Sequence, residues 1–296
     1  MHFLVFVLTY PILLIISLLP FPVFYAFSDL LSFFLGRVIG YRKKMIHQNI
    51  RLAFPNYSEK EVNRVSRSFY RHMCDLFLEI IKGITLPNRE IKKRLIPNNI
   101  EVLRGFEKQK RSTIIICGHY SSWEWMLSLG LWLENTPYGI YAPLSNPYFD
   151  RLIRKIRKKY HADLIPRFQT IETIAKHQKK HIYGHYGFAS DQSPRPKPKS
   201  YWRTFLGVDV PVFTGAERIA REYNIPVVFA DIQRVKRGFY EVTFKVISDQ
   251  SKETKTNEIT DTFIELLEAQ IYKDPTQYLW SHNRFKHRHL KPVKAS

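Results

Sequence analysis

Residues 114–125 read IIICGHYSSWEW, and this stretch decides both the fold class and the position of the candidate reacting groups. A short run of β-type apolar residues ends at Gly118, His119 follows at once, and Glu124 comes five positions later. Apolar runs of this length are typical of buried strands in α/β sheets. An imidazole at a strand end can act as a general base when a carboxylate holds its other nitrogen. The stretch therefore predicts a strand that delivers His119 to a site.

The spacing of His119 and Glu124 restricts how they can meet. Residues five apart on one regular helix point about 140° apart, so His119 must precede the helix that carries Glu124. Ser121 is a natural N-cap with Glu124 at its N3 position, which predicts His119 two residues before the cap. The same spacing also fits a purely structural interpretation, in which Glu124 closes a capping box and His119 is an ordinary loop histidine.

The remaining pattern predicts one α/β domain with a mixed central sheet flanked by helices. Residues 37–110 read as mostly helical, with a long amphipathic helix that Ser58 and Glu61 begin as a capping box. Strands are predicted at 113–117, 139–142, 181–188, 226–233 and 239–247. Helices are predicted at 121–135, 147–160, 168–179, 214–224 and 256–272. Because the strand at 239–247 follows a short turn, the sheet of the α/β core at 111–296 should be mixed.

Residues 1–36 predict a hydrophobic membrane anchor, and residues 37–296 a cytoplasmic catalytic domain. Residues 3–27 carry no charge and are long enough as a helix to cross the hydrocarbon core. Three prolines leave two arrangements open, a kinked crossing by residues 3–19 with an interfacial helix after it, or a segment lying in one leaflet. The basic residues that follow place the catalytic domain on the cytoplasmic side of the inner membrane by the positive-inside rule.

Charge and cysteine content narrow the function classes. The formal net charge is +20, and because the first 36 residues contain only Asp29, the rest carries +21. Such a domain should associate with anionic lipids, phosphorylated sugars, nucleic acid or an acidic protein. The two cysteines, Cys74 and Cys117, form no CxxC motif and fit a reducing compartment. Cys117 reads as a buried strand residue rather than a nucleophile.

Several motifs in order give a resemblance to a known family. Residues 118–124 (GHYSSWE) resemble the HX4(D/E) motif of glycerolipid acyltransferases in the form found in bacterial lipid A late acyltransferases. Asn146-Pro147 with Asp150 and Arg157 resembles that family's NP…D…R segment. Asp191-Gln192 begins a match to its DQ…FFG…TG region, and residues 279–286 (LWSHNRFK) resemble its closing signature. The likeness spans roughly residues 1–290.

The resemblance implies a reaction and roles for particular residues. His119 would take the proton from a hydroxyl of a lipid A precursor, which then attacks an acyl thioester. Glu124 would hold the His119 tautomer, Arg157 would stabilise the oxyanion, and Asp191 would position a substrate or an arginine. The thioester is a co-substrate, so no cofactor is expected. The donor would be acyl carrier protein or acyl-coenzyme A.

The resemblance and the charge together suggest binding residues for the anionic lipid or the acidic carrier protein. The candidates are Asn146, Asp150, Lys197, Lys199, Arg203, Arg284 and Lys286. For each basic residue the alternative is a generic basic surface. Within the enzyme class, acylation of a lysophospholipid or another lipid hydroxyl remains open, and so does the chain length.

Other site types are disfavoured. His177, His181 and His185 recur four apart, but the helix is predicted to end near residue 180, so no metal site is expected. No GxSxG, Walker or Rossmann glycine motif occurs. A non-enzymatic membrane protein that binds anionic lipid or nucleic acid is the rival class. Basic residues spread along the chain, rather than in a recognised nucleic-acid motif, disfavour nucleic acid.

Overall fold

The computed structural model describes residues 1–291. The helical first third contains two apolar helices, a basic helix and a long amphipathic helix: α1 (His2–Leu18), α2 (Phe21–Phe33), α3 (Lys43–Ala53) and α4 (Glu59–Lys82). A π-helical turn, Phe34–Val38, continues α2. Ser58 and Glu61 form the predicted capping box of α4, because each side chain bonds the backbone N–H of the other.

The rest of the chain alternates strands and helices. The helices are α5 (Asn88–Arg94), α6 (Glu101–Lys108), α7 (Pro147–Lys158), α8 (Thr170–Lys179), α9 (Gly215–Tyr223) and α10 (Glu258–Lys273). The strands are β1 (Leu95–Pro97), β2 (Thr113–Cys117), β3 (Thr136–Tyr141), β4 (Asp163–Pro166), β5 (Gly184–Ala189), β6 (Trp202–Phe205), β7 (Val208–Pro211), β8 (Val227–Lys236) and β9 (Phe239–Ser248).

Seven strands form one mixed sheet in the order β1-β9-β8-β2-β5-β3-β4. All neighbours pair in parallel except β8 and β9, which form the predicted antiparallel hairpin. The five residues of β2 lie at the centre and are all buried, which explains their continuous apolar character. The predicted fold class, a mixed α/β sheet flanked by helices, is confirmed. Short strands β1, β4, β6 and β7 are absent from the predicted set.

The predicted helix at 121–135 is wrong in type and start. A 3-10 helix, Trp123–Leu131, occupies this region, and Ser122 precedes it without a side-chain cap bond. Ser121 has a left-handed φ of 54°, whereas an N-cap residue is normally extended. Ser121 and Glu124 therefore form no capping box.

The apolar helices α1 and α2 pack against the catalytic part of the chain. Ser28 of α2 donates to Asp75 of α4 at 2.6 Å, and Arg237 binds the carboxylates of both Asp29 and Asp75. Lys82 donates to the carbonyl of Ser17, at the last turn of α1. Charged and polar groups therefore hold the apolar helices on their inner side.

The outer sides of α1 and α2 are apolar and exposed. Exposed residues of α1 include Phe3, Leu4, Leu8, Ile12 and Ile15. Within the described residues, Phe21–Val38 is the one stretch long and apolar enough to cross a membrane by length and composition, and α1 is a shorter apolar helix. Pro11 lies inside α1, and the chain breaks instead at Leu19, which is extended ahead of Pro20.

Candidate active site

Gly118 lets the chain turn out of β2 towards His119. A Cβ at Gly118 would lie 2.5 Å from Cδ1 of Leu267, a fully buried residue of α10. Real Cβ atoms do not approach other carbon atoms so closely, so only glycine fits between the strand end and the helix. His119 consequently leaves the sheet at the carboxyl end of its central strand, where α/β proteins place their ligands.

The backbone of the His119 loop is fixed by the C-terminal segment. Leu279 donates its N–H to the carbonyl of His119 at 3.2 Å, and Ser121 donates to the carbonyl of Gln277 at 3.0 Å. Between them, Tyr120 and Tyr278 form an antiparallel bridge. Residues 277–279, which lead into the predicted closing signature, therefore fix the loop that carries the imidazole.

His119 lies outside the helix, as expected, but its carboxylate partner is Asp191. Nδ1 of His119 is 2.6 Å from Oδ1 of Asp191. Cys117 pairs with Ala189 in the parallel register of β2 and β5, so His119 and Asp191 each come two residues after a paired position. The His119 side chain is 16% exposed and the Asp191 side chain 3%. One edge of the imidazole therefore reaches solvent, while the carboxylate behind it is sealed.

The environment makes His119 a stronger base than a free imidazole. Burial lowers the pKa of His119, but the charge and hydrogen bond of Asp191, with the charge of Glu124, outweigh burial and raise it. Burial raises the pKa of Asp191, whereas the charge and hydrogen bonds of His119 and the charge of Arg284 bring it below its usual value. Asp191 is therefore ionised and able to stabilise an imidazolium.

The second imidazole nitrogen faces Gln192. The Gln192 amide donates from Nε2 to Nε2 of His119 at 3.1 Å. With Nδ1–H donating to Asp191, Nε2 carries the lone pair, which is the tautomer that a general base needs. The ring of Trp123 stands edge-on to the imidazole with centroids 5.0 Å apart. A substrate hydroxyl would approach Nε2 beside this indole, in the position that the Gln192 amide now occupies.

Glu124 does not hold the His119 tautomer, and this predicted role is wrong. Its Oε2 instead accepts from Nη2 of Arg157 at 2.6 Å, and Glu124 acts on His119 through its charge alone. The structure thus brings the predicted residues Glu124 and Arg157 together. Their side chains are 19% and 16% exposed, so the pair stands at the mouth of the site. Within the part of the chain that the structure describes, Nε of Arg157 has no hydrogen-bond partner.

Arg284 is buried, so it cannot offer the surface contact to an anionic lipid or acidic carrier protein that the sequence suggested. It is 1% exposed, and its guanidinium lies over the ring of Phe205, 5.1 Å from the centroid. Nη1 donates to the carbonyl of Pro211 at 3.1 Å. The charge of Arg284 helps to keep Asp191 ionised. The two residues are 93 positions apart, so no local sequence pattern indicates that they lie close together.

His282 and Ser193 support the segment that carries Asp191 and Gln192. The Ser193 N–H donates to Nε2 of His282 at 3.2 Å, and its hydroxyl donates to the carbonyl of Arg284 at 2.9 Å. Burial lowers the pKa of His282 to about 4, so this imidazole is neutral and accepts the bond. Sequence reasoning gave these two residues no role.

Asn146 and Asp150 build the start of α7 rather than an open binding surface. Asn146 is its N-cap and accepts from the N–H of Tyr148 at 3.0 Å. Asp150 accepts from the N–H of Leu144 at 2.9 Å and from the Tyr141 hydroxyl at 3.3 Å. These bonds fix the angle at which α7 leaves the β3 end, and so the position of Arg157.

Among the described residues, the other predicted binding residues form no hydrogen bond or ion pair with His119 or Asp191. Lys197 and Lys199 are exposed in an irregular loop, and Lys286 is exposed near the C-terminus. Arg203 is on β6 and pairs with Asp261 and Glu265 of α10 at 3.3 and 2.8 Å. Its charge is therefore already neutralised within the chain.

The cysteine and histidines that the sequence analysis set aside as a nucleophile or metal ligands have structural roles. Burial, with the nearby charges of Asp191 and Glu124, raises the pKa of the Cys117 thiol to about 12, so it is protonated at neutral pH. His177 pairs with the Tyr186 hydroxyl at 2.9 Å, and His185 pairs with Glu107 at 3.0 Å. Among residues 1–291, no group of three His, Cys, Asp or Glu side chains could hold a metal ion.

A narrow apolar crevice begins at the Glu124–Arg157 pair. Its other walls come from α4, α7 and the 3-10 helix: Glu79, Ile80, Gly83, Trp125, Leu127, Ile153, Ile156 and Tyr160. The site therefore combines an imidazole base, an orienting carboxylate, an arginine close to the reacting groups and an adjoining apolar wall. This set suits acyl transfer to a hydroxyl.

The comparison with protein families agrees with this chemistry. A family profile described as bacterial lipid A biosynthesis acyltransferase matches residues 2–287. The chain belongs to this family. It is therefore an acyltransferase of lipid A biosynthesis, and membership implies an acyl donor and a lipid A-type acceptor.

Individual relatives match over most of their length. A lipid A biosynthesis lauroyltransferase of Escherichia coli K12 is 25% identical over 94% of this chain and 90% of the relative. A palmitoleoyltransferase of the same organism is 21% identical over 91% and 87%. A lipid A biosynthesis acyltransferase of Haemophilus influenzae is 24% identical over 84% and 79%. The first two names differ in the acyl chain, so likeness to them does not assign a chain to this protein.

Proposed function

We propose that the protein transfers a fatty acyl chain from an acyl carrier protein thioester to a hydroxyl of a lipid A precursor, with His119 as general base. Nε2 of His119 removes the hydroxyl proton as the oxygen attacks the thioester carbonyl. The tetrahedral intermediate then collapses, the C–S bond breaks, and the imidazolium returns the proton to the thiolate. The ester and the free thiol are the products.

The observation that carries the proposal is the hydrogen bond from Nδ1 of His119 to Asp191. It fixes the tautomer, leaves the lone pair on Nε2, where the Gln192 amide now donates, and stabilises the imidazolium that forms. General-base catalysis by a positioned imidazole contributes about 10²–10⁴ in rate. Asp191 here takes the orienting role expected of Glu124.

Arg157 is the candidate donor to the oxyanion. Among the described residues its side chain has one hydrogen-bond partner, Glu124, whose charge also acts on His119, and its Nε has no partner within residues 1–291. One such donor is worth on the order of 10²–10³ in rate. In the absence of substrate, Arg157 is paired with Glu124, which balances the positive charge of the guanidinium.

A membrane location supports the same proposal. The acceptor is an amphiphile, and the exposed apolar sides of α1 and α2 offer a surface that inserts into a bilayer. Arg37, Lys43 and Lys44 follow α2 and are exposed, which favours the cytoplasmic face of the inner membrane. Acyl carrier protein is acidic, and the positive charge of the domain favours its docking.

The test is a transfer assay with purified protein, acyl carrier protein or coenzyme A thioesters, and a lipid A precursor or a lysophospholipid. His119→Ala should lower the transfer rate by about 10²–10⁴, because the hydroxyl then lacks a base. His181→Asn is the matched control, since His181 is exposed and asparagine tolerates its left-handed φ of 52°. Transfer by His119→Ala at the control rate would refute the base, and transfer only to the lysophospholipid would refute the acceptor.

A further inference from the structure

Helix α7 has two chemically opposite faces. Phe149, Ile153 and Ile156, spaced i, i+4 and i+7, face inward, and the last two line the crevice at the Glu124–Arg157 pair. Four basic residues occupy the opposite face, with the spacing i, i+3, i+4 and i+7: Arg151, Arg154, Lys155 and Lys158. We call these four residues the basic face of α7.

Helix stability does not explain the basic face. Lys155 and Lys158 lie in the last turn, where the helix dipole favours a cation, but Arg151 and Arg154 lie before it. Like charges three and four positions apart repel one another on a helix. Lys158 pairs with Asp163 at 3.2 Å, whereas Arg151, Arg154 and Lys155 have no ion pair with any residue that the structure describes.

The position of α7 links the apolar surface with the catalytic residues. Near its start, the rings of Tyr148 and Phe149 pack on Phe6 of α1, with centroids 5.7 and 5.3 Å apart. Near its end, Arg157 binds Glu124, whose charge helps to raise the pKa of His119. Arg151 and Arg157 are about 9 Å apart along the axis, at about 1.5 Å per residue. The helix that carries the basic face thus contacts the apolar helix α1 near its start and carries Arg157, the partner of Glu124, near its end.

We propose that the basic face of α7, through Arg151, Arg154 and Lys155, binds a phosphate group of the glycolipid acceptor. This inference rests on the proposed function, because it names the part of the acceptor that is recognised. A guanidinium group can donate two parallel hydrogen bonds to two oxygens of one phosphate, and an adjacent ammonium group can donate a further hydrogen bond. A phosphate held there leaves the acyl chains along α1 and directs the sugar towards His119.

Bulk anionic phospholipid is the other source of the same phosphate chemistry. The basic residues Lys43 and Lys44, directly after the apolar helix, are suited to that general attraction. The basic face differs because it shares its helix with a residue of the catalytic pair. Phosphate bound to α7 should therefore change acceptor recognition, while a general surface charge should change only attachment to the membrane.

The experiment compares Arg151→Gln/Lys155→Gln with the matched control Lys43→Gln/Lys44→Gln, which removes the same charge next to α2. Each variant is assayed with a phosphorylated lipid A precursor and with the same precursor after enzymatic removal of its phosphates. The α7 variant should raise KM for the phosphorylated acceptor on the order of tenfold, with kcat within about twofold. Its KM for the dephosphorylated acceptor should match that of the unmodified protein, whereas the control should change the KM values for the two acceptors by the same factor.

A binding arm separates this inference from the proposed function. Unmodified protein should float with vesicles that contain the phosphorylated acceptor more strongly than with phosphatidylglycerol vesicles of equal charge, and the α7 variant should lose that difference. Equal losses by both variants, or an equal change in KM for both acceptors, would overturn the phosphate site. If the unmodified protein acylates neither acceptor, the proposed function fails, and the vesicle preference still decides whether the basic face recognises phosphate.

Discussion

Two carboxylates influence His119, and they differ in burial and in partner. Asp191 is sealed from solvent, bonds directly to the imidazole and has the buried charge of Arg284 nearby. Glu124 is 19% exposed and binds Arg157, which is 16% exposed. A buried carboxylate with fixed partners sets the orientation and tautomer of a base, whereas a partly exposed ion pair supplies charge that substrate binding can redistribute. The same functional group, a carboxylate, therefore serves two separate purposes at positions 67 residues apart.

Asp191→Asn should have the largest effect of the changes that separate the two carboxylates. The asparagine amide can donate to Nδ1 and so move the imidazole proton to Nε2, which removes the base. We expect kcat to fall by about 10³–10⁴, with little change in KM. Steady-state kinetics of acyl transfer measure this. Asp209→Asn is the matched control, because Asp209 pairs with Lys291 on an exposed part of the chain.

The pH profile of Asp191→Asn gives a readout that misfolding would not produce. In the unmodified protein the pKa of His119 is raised, so activity should fall as the pH drops through that raised value and the base becomes protonated. Without the carboxylate, burial still lowers the pKa of His119 and its main opposing charge is gone. The acidic limb of the residual activity should therefore move to lower pH. An unchanged limb would contradict the role of Asp191.

Glu124→Gln and Arg157→Gln test the second carboxylate and should have smaller effects. Glu124→Gln removes the partner of Arg157, and we expect a loss of about 10–10² in kcat. Arg157→Gln removes the oxyanion donor itself and should cost about 10²–10³. Because the two side chains act as one unit, the double variant should lose little more than Arg157→Gln. Strict multiplication of the two single losses would show that the pair is not functionally coupled.

The pairing of His119 with Asp191 follows from the order of the strands in the sheet, which the sequence does not show. Carboxyl ends of parallel strands meet at one edge of a sheet, and both residues come two positions after a strand end. The predicted strand at 181–188 was almost correct, but nothing in the sequence says that β5 is the neighbour of β2. Sheet order depends on how the helices pack, and a pattern along the chain does not encode it directly.

The N-terminal segment shows the opposite balance. Its apolar character and the break near Pro20 are local properties, and the sequence predicts both. The contacts that hold it, such as Arg237 with Asp29 and Asp75, join residues more than 150 positions apart. Asp29 is the one charge in an apolar segment, and its partners, Arg71 of α4 and Arg237 at the β8–β9 turn, are distant along the chain. The division of the chain at residue 36 stays a prediction.

Ser121→Gly should have the smallest effect, and it tests why Glu124 is available to Arg157. If Ser121 capped the helix, the N-cap preference would favour serine over glycine. The left-handed φ of 54° reverses that order, and the buried Ser121 hydroxyl has no partner among residues 1–291. We therefore expect Ser121→Gly to raise the free energy of unfolding by about 0.5–1 kcal/mol, with kcat within about twofold. Chemical denaturation measures the change, and a loss of stability would restore the capping box that the sequence spacing suggests.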